Sequence, residues 1–204
     1  MDVADTNRSE RETTRLFQTN VFGPMYLSQA VLPAMRTRRS GIIINISSVA
    51  GLDAAPACAL YAASKFALEG WTEAMAKEAD EFGISVLLVE PGAFRTNFLT
   101  AMNVSENVAS STTASADDAY KNNVSMQAIA KFQAADGKQP GDPDKAANRI
   151  IEYVTGEGEG GALKGKVLRM VLGKDAYLRI EAKTQKLHED MALGRDVAMS
   201  TDLA

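Results

Sequence analysis

The stretch GIIINISS at residues 41–48 decides the fold class of this chain. It is a short β-branched run that begins after a glycine and ends in serines, a pattern typical of a strand buried on both faces. A second apolar run over residues 84–89 stops at Pro91-Gly92, and a third spans residues 166–172. Strands without polar alternation favour a parallel sheet.

Segments with helical periodicity alternate with these strands. The first contains Pro24 and Pro33, which predict a bend or an early end because proline removes a backbone hydrogen bond. This element order predicts an α/β fold, a partial Rossmann-like doubly wound parallel sheet of about three strands with flanking helices. The predicted helices span residues 13–35, 59–81, 142–154 and 175–193.

The composition favours one globular domain over residues 1–204, with 46% hydrophobic residues and a net charge of -4. That charge gives no electrostatic reason to expect nucleic acid. Cys58 is the single cysteine and His188 the single histidine, so we expect neither an internal disulfide nor a metal site. No apolar run approaches the ~20 residues of a membrane span, and the polar N-terminus does not resemble a secretory leader. We therefore expect a cytoplasmic protein with no membrane partner.

The pattern loosens in the middle of the chain. Residues 105–140 are predicted to form a mobile substrate loop, because Ser, Thr, Ala and Asp dominate residues 105–118 without periodicity. Residues 120–134 are predicted to add one or two short helices. Gly156 to Gly161 indicates a turn before the last strand.

Tyr61 and Lys65 are the first candidates for chemistry. They lie at positions i and i+4 of a predicted helix, so their side chains project from the same face. An ammonium beside a phenol favours phenolate and would lower the tyrosine pKa from about 10 toward the range of a general acid/base. Cys58, three residues earlier, is interpreted as a packing residue.

Ser48 and Asn20 are two further candidates. Ser48 follows the C-terminal end of a predicted strand, where open α/β sheets place ligand-binding groups. Its hydroxyl is suited to hold a substrate oxygen. Asn20 lies in the preceding helix, where its amide is predicted to bend the backbone and hold a water in a proton relay.

Four motifs together resemble successive motifs of classical short-chain dehydrogenases/reductases, in the same order and at similar intervals. They are TNVFG at 19–23, NISSVAG at 45–51, YAASK at 61–65 and PGAFRT at 91–96. The resemblance is specific over residues 13–99 and looser beyond. It implies a fold and a function of that family.

The resemblance implies an NAD(P)-dependent oxidoreductase that interconverts a hydroxyl and a carbonyl. Tyr61 would donate the proton to the carbonyl or accept it from the alcohol, and Ser48 would polarise that oxygen. Lys65 would lower the pKa of Tyr61 and bind the nicotinamide ribose together with it. Asn20 would complete the relay.

The resemblance also implies residues that hold the cofactor, NADP or NAD. The backbone around Ala93 and Phe94, with the Thr96 hydroxyl, would fix the carboxamide and so the reactive face of the nicotinamide ring. The turn that begins with Pro91-Gly92 would bring this backbone to the cofactor.

The substrate is predicted to be a small lipophilic alcohol or ketone. Phe98, Met102 and Met126 would line an adaptable apolar pocket, although methionine also fills gaps in cores. Arg95 could meet an anionic group, but an exposed arginine near a loop is the more common case. Trp71 and Phe66 are interpreted as core or interface residues, and His188 as a solvated surface residue.

The chain departs from the family pattern in one respect. No Gly-rich turn of the kind that cradles the cofactor pyrophosphate occurs in the 204 residues. A full member carries roughly 80 to 90 more N-terminal residues. The chain is therefore expected to represent the C-terminal catalytic portion, with weak cofactor binding by itself.

Three hypotheses are compatible with these observations. The chain is a shortened form of an ordinary reductase; or it is an isomerase or lyase that kept the Tyr61 and Lys65 pair and lost cofactor binding; or it is an inactive partner of a full-length homologue. The helices over residues 13–35 and 59–81 resemble the family's dimer-forming pair. They predict a homo-oligomer or a heterodimer with a related chain, and residues 42–46 would form an exposed sheet edge.

Overall fold

The computed structural model describes residues 10–101 and 123–203. Helices and strands alternate along these residues, as the sequence predicts. In chain order they are α1 (Glu10–Phe17), a π-helical turn (Gln18–Phe22), α2 (Gly23–Arg38), β1 (Gly41–Ile46), a 3-10 turn (Val49–Gly51), α3 (Ala59–Asp80), β2 (Ile84–Pro91), α4 (Phe98–Ala101), α5 (Val124–Ala135), α6 (Pro143–Thr155), α7 (Gly158–Gly161), β3 (Arg169–Leu172) and α8 (Lys174–Met199).

The three strands form one parallel sheet in the order β1-β2-β3. Gly41 pairs with Ile84 at the start of β1, and Leu88 pairs with Arg169 at the start of β3. The predicted parallel sheet is therefore confirmed. Because all three strands run in the same direction, their carboxyl ends meet at one edge of the sheet, and β1 forms one side of the described sheet.

Helices cover both faces of the sheet, which confirms the predicted layers. On one face, α2 and α3 pack against β1 and β2 around Ile43, Met75 and Val86. On the opposite face, α6 inserts Tyr153 against Leu87. Burying apolar side chains on both faces explains why most residues of the strands are apolar.

The two prolines do not end the first helical segment. Pro24 lies in the first turn of α2, directly after the π-helical turn, and Pro33 lies inside α2. The helix continues to Arg38 and closes at Arg39 in the left-handed region, with φ 51°. The predicted irregularity lies instead just before Pro24, where the backbone forms the π-helical turn.

Other boundaries differ from those predicted. The segment at 156–161 is not only a turn, because Gly158–Gly161 forms the short helix α7. β3 is shorter than expected, and α8 continues past residue 193 to Met199 because only Gly194 interrupts its helix-forming residues. Residues 105–122 of the predicted loop lie outside the described residues, while α5 occupies part of the remainder. Among the described helices, none has the length and apolar content needed to cross a membrane.

Candidate active site

The predicted catalytic residues meet at the carboxyl edge of the sheet. Ser48 follows β1, and Tyr61 and Lys65 lie in the first two turns of α3, which packs against the same edge. The Lys65 ammonium nitrogen lies 5.8 Å from the centre of the Tyr61 ring. The structure thus brings together three of the four residues that the motifs identify.

Lys65 is buried, and its position is defined by a backbone contact. Its Nζ donates a hydrogen bond of 2.9 Å to the carbonyl oxygen of Ile46, the last residue of β1. An ammonium carries three N–H donors, so two remain for other acceptors. Burial lowers the pKa of Lys65, while the nearby Glu69 carboxylate raises it.

Ser48 is oriented by the turn that it begins. It is the N-cap of the 3-10 turn, and its Oγ accepts a hydrogen bond of 3.1 Å from the backbone N–H of Ala50. The hydroxyl proton is therefore free to donate, and the side chain hydrogen-bonds with Tyr61.

The Tyr61 phenol has a pKa above its ordinary value in this structure. Burial is the main cause, since it disfavours the charged phenolate, and the hydrogen bond from Ser48 lowers the pKa by less than burial raises it. The sequence predicted a pKa below the ordinary value because of Lys65. That prediction is not met here because desolvation of the phenol, with a smaller contribution from Cys58, outweighs the hydrogen bond from Ser48.

Asn20 lies at the centre of the π-helical turn, which agrees with the predicted local bend. Its Nδ2 donates to Ser64 Oγ at 3.0 Å, and Ser64 Oγ donates to the carbonyl oxygen of Tyr61 at 2.7 Å. Asn20 is thus connected to the backbone of Tyr61 through Ser64. The link connects the first helical segment to α3 beside Tyr61.

The PGAFRT segment at 91–96 is held in place by its neighbours in space. The N–H of Gly92 donates to Leu172 O, and the N–H of Ala93 donates to Asp175 Oδ2 at 2.8 Å. A Cβ at Gly92 would lie 2.5 Å from the Asp175 carboxylate oxygens. This close approach explains the glycine, and it identifies Asp175 as a support that the sequence analysis missed.

The rest of the segment is also anchored. Phe94 forms an isolated parallel bridge with Gly141, and Arg95 N donates to Gly141 O. Thr96 Oγ1 accepts a hydrogen bond from Phe98 N. In this contact the Thr96 hydroxyl acts as an acceptor, so its own proton is not used.

A partly buried charged cluster lies behind the site and was also missed. Arg169 of β3 contacts three carboxylates, with Nε 3.0 Å from Glu69 Oε2, Nη2 2.9 Å from Glu73 Oε2 and Nε 3.3 Å from Glu90 Oε1. Burial and the neighbouring Glu69 raise the pKa of Glu90 to about 7. A glutamate four residues after Lys65, on the same helix face, was the available sequence signal.

The remaining candidates take the positions of ordinary structural residues. Cys58 is buried, and Trp71 packs against the core between α3 and the sheet. Arg95 donates Nε and Nη2 to the carbonyl oxygen of Gln139. His188 is exposed on α8. These placements agree with the structural interpretation of each residue.

The predicted substrate pocket is described in part. The Phe98 ring lies 5.7 Å from the Tyr61 ring, at 59°. Met126 is half-buried on α5, and Met102 lies outside the described residues. The Phe98 ring therefore lies beside the Tyr61 phenol. Phe66 of α3 is exposed.

Comparison with known proteins identifies similar sequences over the same region. A profile of the family described as short chain dehydrogenase matches residues 2–107. A 3-ketodihydrosphingosine reductase from Bacteroides thetaiotaomicron is 48% identical over 98 residues, which are 48% of this chain and 36% of that protein. Human retinol dehydrogenase 8 is 51% identical over 83 residues, 41% of this chain and 27% of that protein. The chain thus spans well under half the length of these two relatives.

A solved structure extends the similarity to nearly the whole chain. The crystal structure of a short-chain dehydrogenase from Streptomyces avermitilis matches with a TM-score of 0.74 and 34% identity. The match covers 95% of this chain and 64% of that one. The sheet and its flanking helices therefore have the same arrangement in both proteins.

Proposed function

The chain belongs to the short-chain dehydrogenase family, and from this premise we propose that it serves NAD(P)-linked interconversion of a hydroxyl and a carbonyl, with Tyr61 as the general acid/base. The observation that carries the proposal is the meeting of Tyr61, Ser48 and Lys65 at the carboxyl end of β1. When bound, the nicotinamide supplies or accepts the hydride.

The described residues fit the nicotinamide end of NADP or NAD. Lys65 keeps two N–H donors beyond its bond to Ile46, which suits ribose hydroxyl groups beside the Tyr61 phenol. Leu172 and Asp175 hold the turn from Pro91 through Ala93. Because Asp175 already accepts from the Ala93 N–H, the backbone of Phe94 and the Thr96 hydroxyl are left to hold the carboxamide.

In carbonyl reduction, the Ser48 hydroxyl turns from its contact with Tyr61 in the free site and donates its one hydrogen bond to the substrate oxygen, which polarises the C=O bond. Tyr61 then transfers its phenolic proton to the same oxygen. The nearby Lys65 ammonium stabilises the phenolate that remains until a proton returns. Asn20, which acts on the Tyr61 backbone through Ser64, keeps the phenol in place for this transfer.

We further propose a lipophilic carbonyl substrate. Phe98 places an apolar ring beside Tyr61, and the names of two relatives contain retinol and 3-ketodihydrosphingosine, both lipophilic molecules. Those names are of oxidoreductases and give no support to the isomerase or lyase alternative.

The test is consumption of NADPH and NADH with a series of aldehydes and ketones of increasing chain length, measured by reduced-nicotinamide absorbance. We expect turnover to increase with apolar length. Tyr61→Phe should reduce kcat by about a thousandfold, because it removes the transferable proton and keeps the packing of the ring. Wild-type turnover in Tyr61→Phe would contradict the acid/base role.

A further inference from the structure

Glu69 is a buried carboxylate that the proposed proton transfer does not use. It lies one helical turn after Lys65 on α3 and is 3% exposed. Its Oε2 receives a hydrogen bond of 3.0 Å from Arg169 Nε. Its Oε1 has no hydrogen-bond partner among the described residues. A group buried at this cost, with one oxygen unpaired, requires an explanation.

The unpaired oxygen lies against residues 47–51, here named the serine loop, which carry Ser48. A Cβ added to Gly51 would lie 2.6 Å from Ser47 Oγ, 2.9 Å from Glu69 Cγ and 3.3 Å from Glu69 Oε1. These distances place the Glu69 side chain in close contact with the end of the loop. Only a glycine fits there without movement of its neighbours.

The serine loop is held at both ends by one helix. Lys65 bonds to the carbonyl of Ile46 just before the loop, and Glu69 packs against Gly51 at its end. Ser48 lies between these two contacts. The distance between Ser48 and Tyr61 therefore depends on the positions of the Lys65 and Glu69 side chains.

Arg169 fixes the orientation of Glu69 from the sheet side. The charged groups around Glu69 are Lys65 and Glu73 on α3, Glu90 on β2 and Arg169 on β3. Glu73 shares the same guanidinium, yet its side chain is 41% exposed. Glu73 thus offers a matched carboxylate on the same helix that makes no described contact with the serine loop.

We propose that Glu69 is a positioning residue, which Arg169 orients and which holds the serine loop so that Ser48 donates its hydrogen bond to the Tyr61 phenol. The catalytic consequence rests on the proposed function, but the positioning itself does not. A positioning role and a purely electrostatic role can be distinguished, because loss of Glu69 would raise the Tyr61 pKa in the first case and lower it in the second.

Removal of a negative charge near Tyr61 lowers the phenol pKa if the geometry stays unchanged. Loss of the hydrogen bond from Ser48 raises it, since that bond favours the phenolate. Glu69→Ala should therefore raise the Tyr61 pKa toward that of Ser48→Ala if Glu69 is a positioning residue. The double variant should show no further rise.

The experiment is a pH titration by NMR with isotope-labelled tyrosine, in which the Tyr61 signal is identified by its loss in Tyr61→Phe. Glu69→Gln keeps the shape of the side chain but loses its charge, so the Tyr61 pKa in this variant should lie at or slightly below the wild-type value, and Glu73→Ala should not raise it. If Glu69→Ala does not fold, Gly51→Ala carries the test, since its methyl group displaces the loop while Glu69 stays. In turnover assays, Glu69→Ala should lower kcat about tenfold with little change in KM for the nicotinamide.

A Tyr61 pKa that stays at or below the wild-type value in Glu69→Ala or Gly51→Ala, while Ser48→Ala raises it, would overturn the positioning role. If Ser48→Ala itself leaves the pKa unchanged, the hydrogen bond between Ser48 and Tyr61 does not exist. That result would overturn both the positioning role and the Ser48 contact in the proposed function. If the wild-type protein turns over no carbonyl substrate while the pKa changes are as expected, that result would count against the proposed function alone.

Discussion

At the scale of single residues, the environment of Tyr61 favours one protonation state. Burial raises the phenol pKa, and the hydrogen bond from Ser48 compensates only in part. A neutral phenol can donate a proton, whereas alcohol oxidation needs phenolate to accept one. We therefore expect the proposed site to serve carbonyl reduction better than alcohol oxidation.

This asymmetry predicts a pH dependence. The rate of alcohol oxidation should increase with pH up to and beyond the ordinary tyrosine range of about 10, because the raised pKa keeps the phenol protonated below it. Ser48→Ala should shift the rising limb to higher pH, since Ser48 lowers the pKa of Tyr61. Rates of oxidation at limiting substrate, measured across pH in both proteins, check this prediction. A limb below the ordinary range would show that the bound cofactor reverses the effect of burial.

The residue pairs recognised from the sequence lie close together along the chain, whereas the pairs that were missed lie far apart. Tyr61 and Lys65 were predictable because helical spacing alone brings them together. Asp175 and Ala93 are 82 positions apart, and Arg169 and Glu69 are 100 apart. No local pattern encodes such pairs. Burial of Tyr61 is likewise a tertiary property, which explains why the direction of its pKa was predicted wrongly.

At the scale of elements, the strands that form the carboxyl edge of the sheet were predictable from the sequence. The contacts that support the turn after β2 were not. The apolar runs defined β1 and β2 because full burial leaves a distinct composition. The ends of β3 and α8 were less predictable, since no proline lies near them and local propensity there allows several boundaries. The junction of β2 with α8 through Asp175 follows only from the assembled fold.

This junction supports a prediction. Asp175→Ala should loosen the turn at Gly92 and Ala93, because it removes the acceptor of the Ala93 N–H. We expect faster hydrogen exchange at Ala93 and an increase of about five- to tenfold in KM for the nicotinamide. Asp190→Ala is the matched control, since Asp190 lies on the same helix in an exposed pair with Lys186. Equal exchange at Ala93 in both variants would contradict the role of Asp175.

At the scale of the whole molecule, the buried Glu90 makes stability depend on pH. Its pKa is about 7 in the folded protein and about 4.5 when exposed, so the folded state holds this proton more tightly. Its contribution to stability is therefore greatest below pH 4.5 and is lost as the pH rises through 7. Arg169 offsets part of this effect and Glu69 increases it.

Glu90→Gln should therefore raise the free energy of unfolding above neutral pH, by as much as about 3 kcal/mol, and change it little in acid. Urea unfolding at several pH values measures this. Glu73→Gln is a control with the opposite sign, because Arg169 lowers the pKa of Glu73 and its contribution is lost as the pH falls. A Glu90→Gln variant that is less stable at every pH would show that the carboxylate is a net stabilising partner of Arg169.

The outer surface of α2 is apolar and exposed, which bears on how the whole molecule assembles. Four large apolar residues lie exposed there or in the preceding turn, and Leu27 is 71% exposed. Phe66 of α3 is exposed as well. These exposed large apolar residues are Phe22, Tyr26, Leu27 and Val31. Apolar surface of this kind usually marks an interface, since hiding it contributes about 25 cal/mol for each Å².

We predict that the chain self-associates through this surface. Leu27→Lys should shift the oligomer toward smaller species, because it places a charge where apolar side chains would meet across a symmetric contact. Leu193→Lys is the matched control, since Leu193 on α8 is 83% exposed and lies on a different surface. Light scattering over a range of concentrations measures the mass of each protein. If Leu193→Lys dissociates the oligomer and Leu27→Lys does not, the interface lies on α8. If the wild type is a monomer at every concentration, the exposed face of α2 does not mediate self-association.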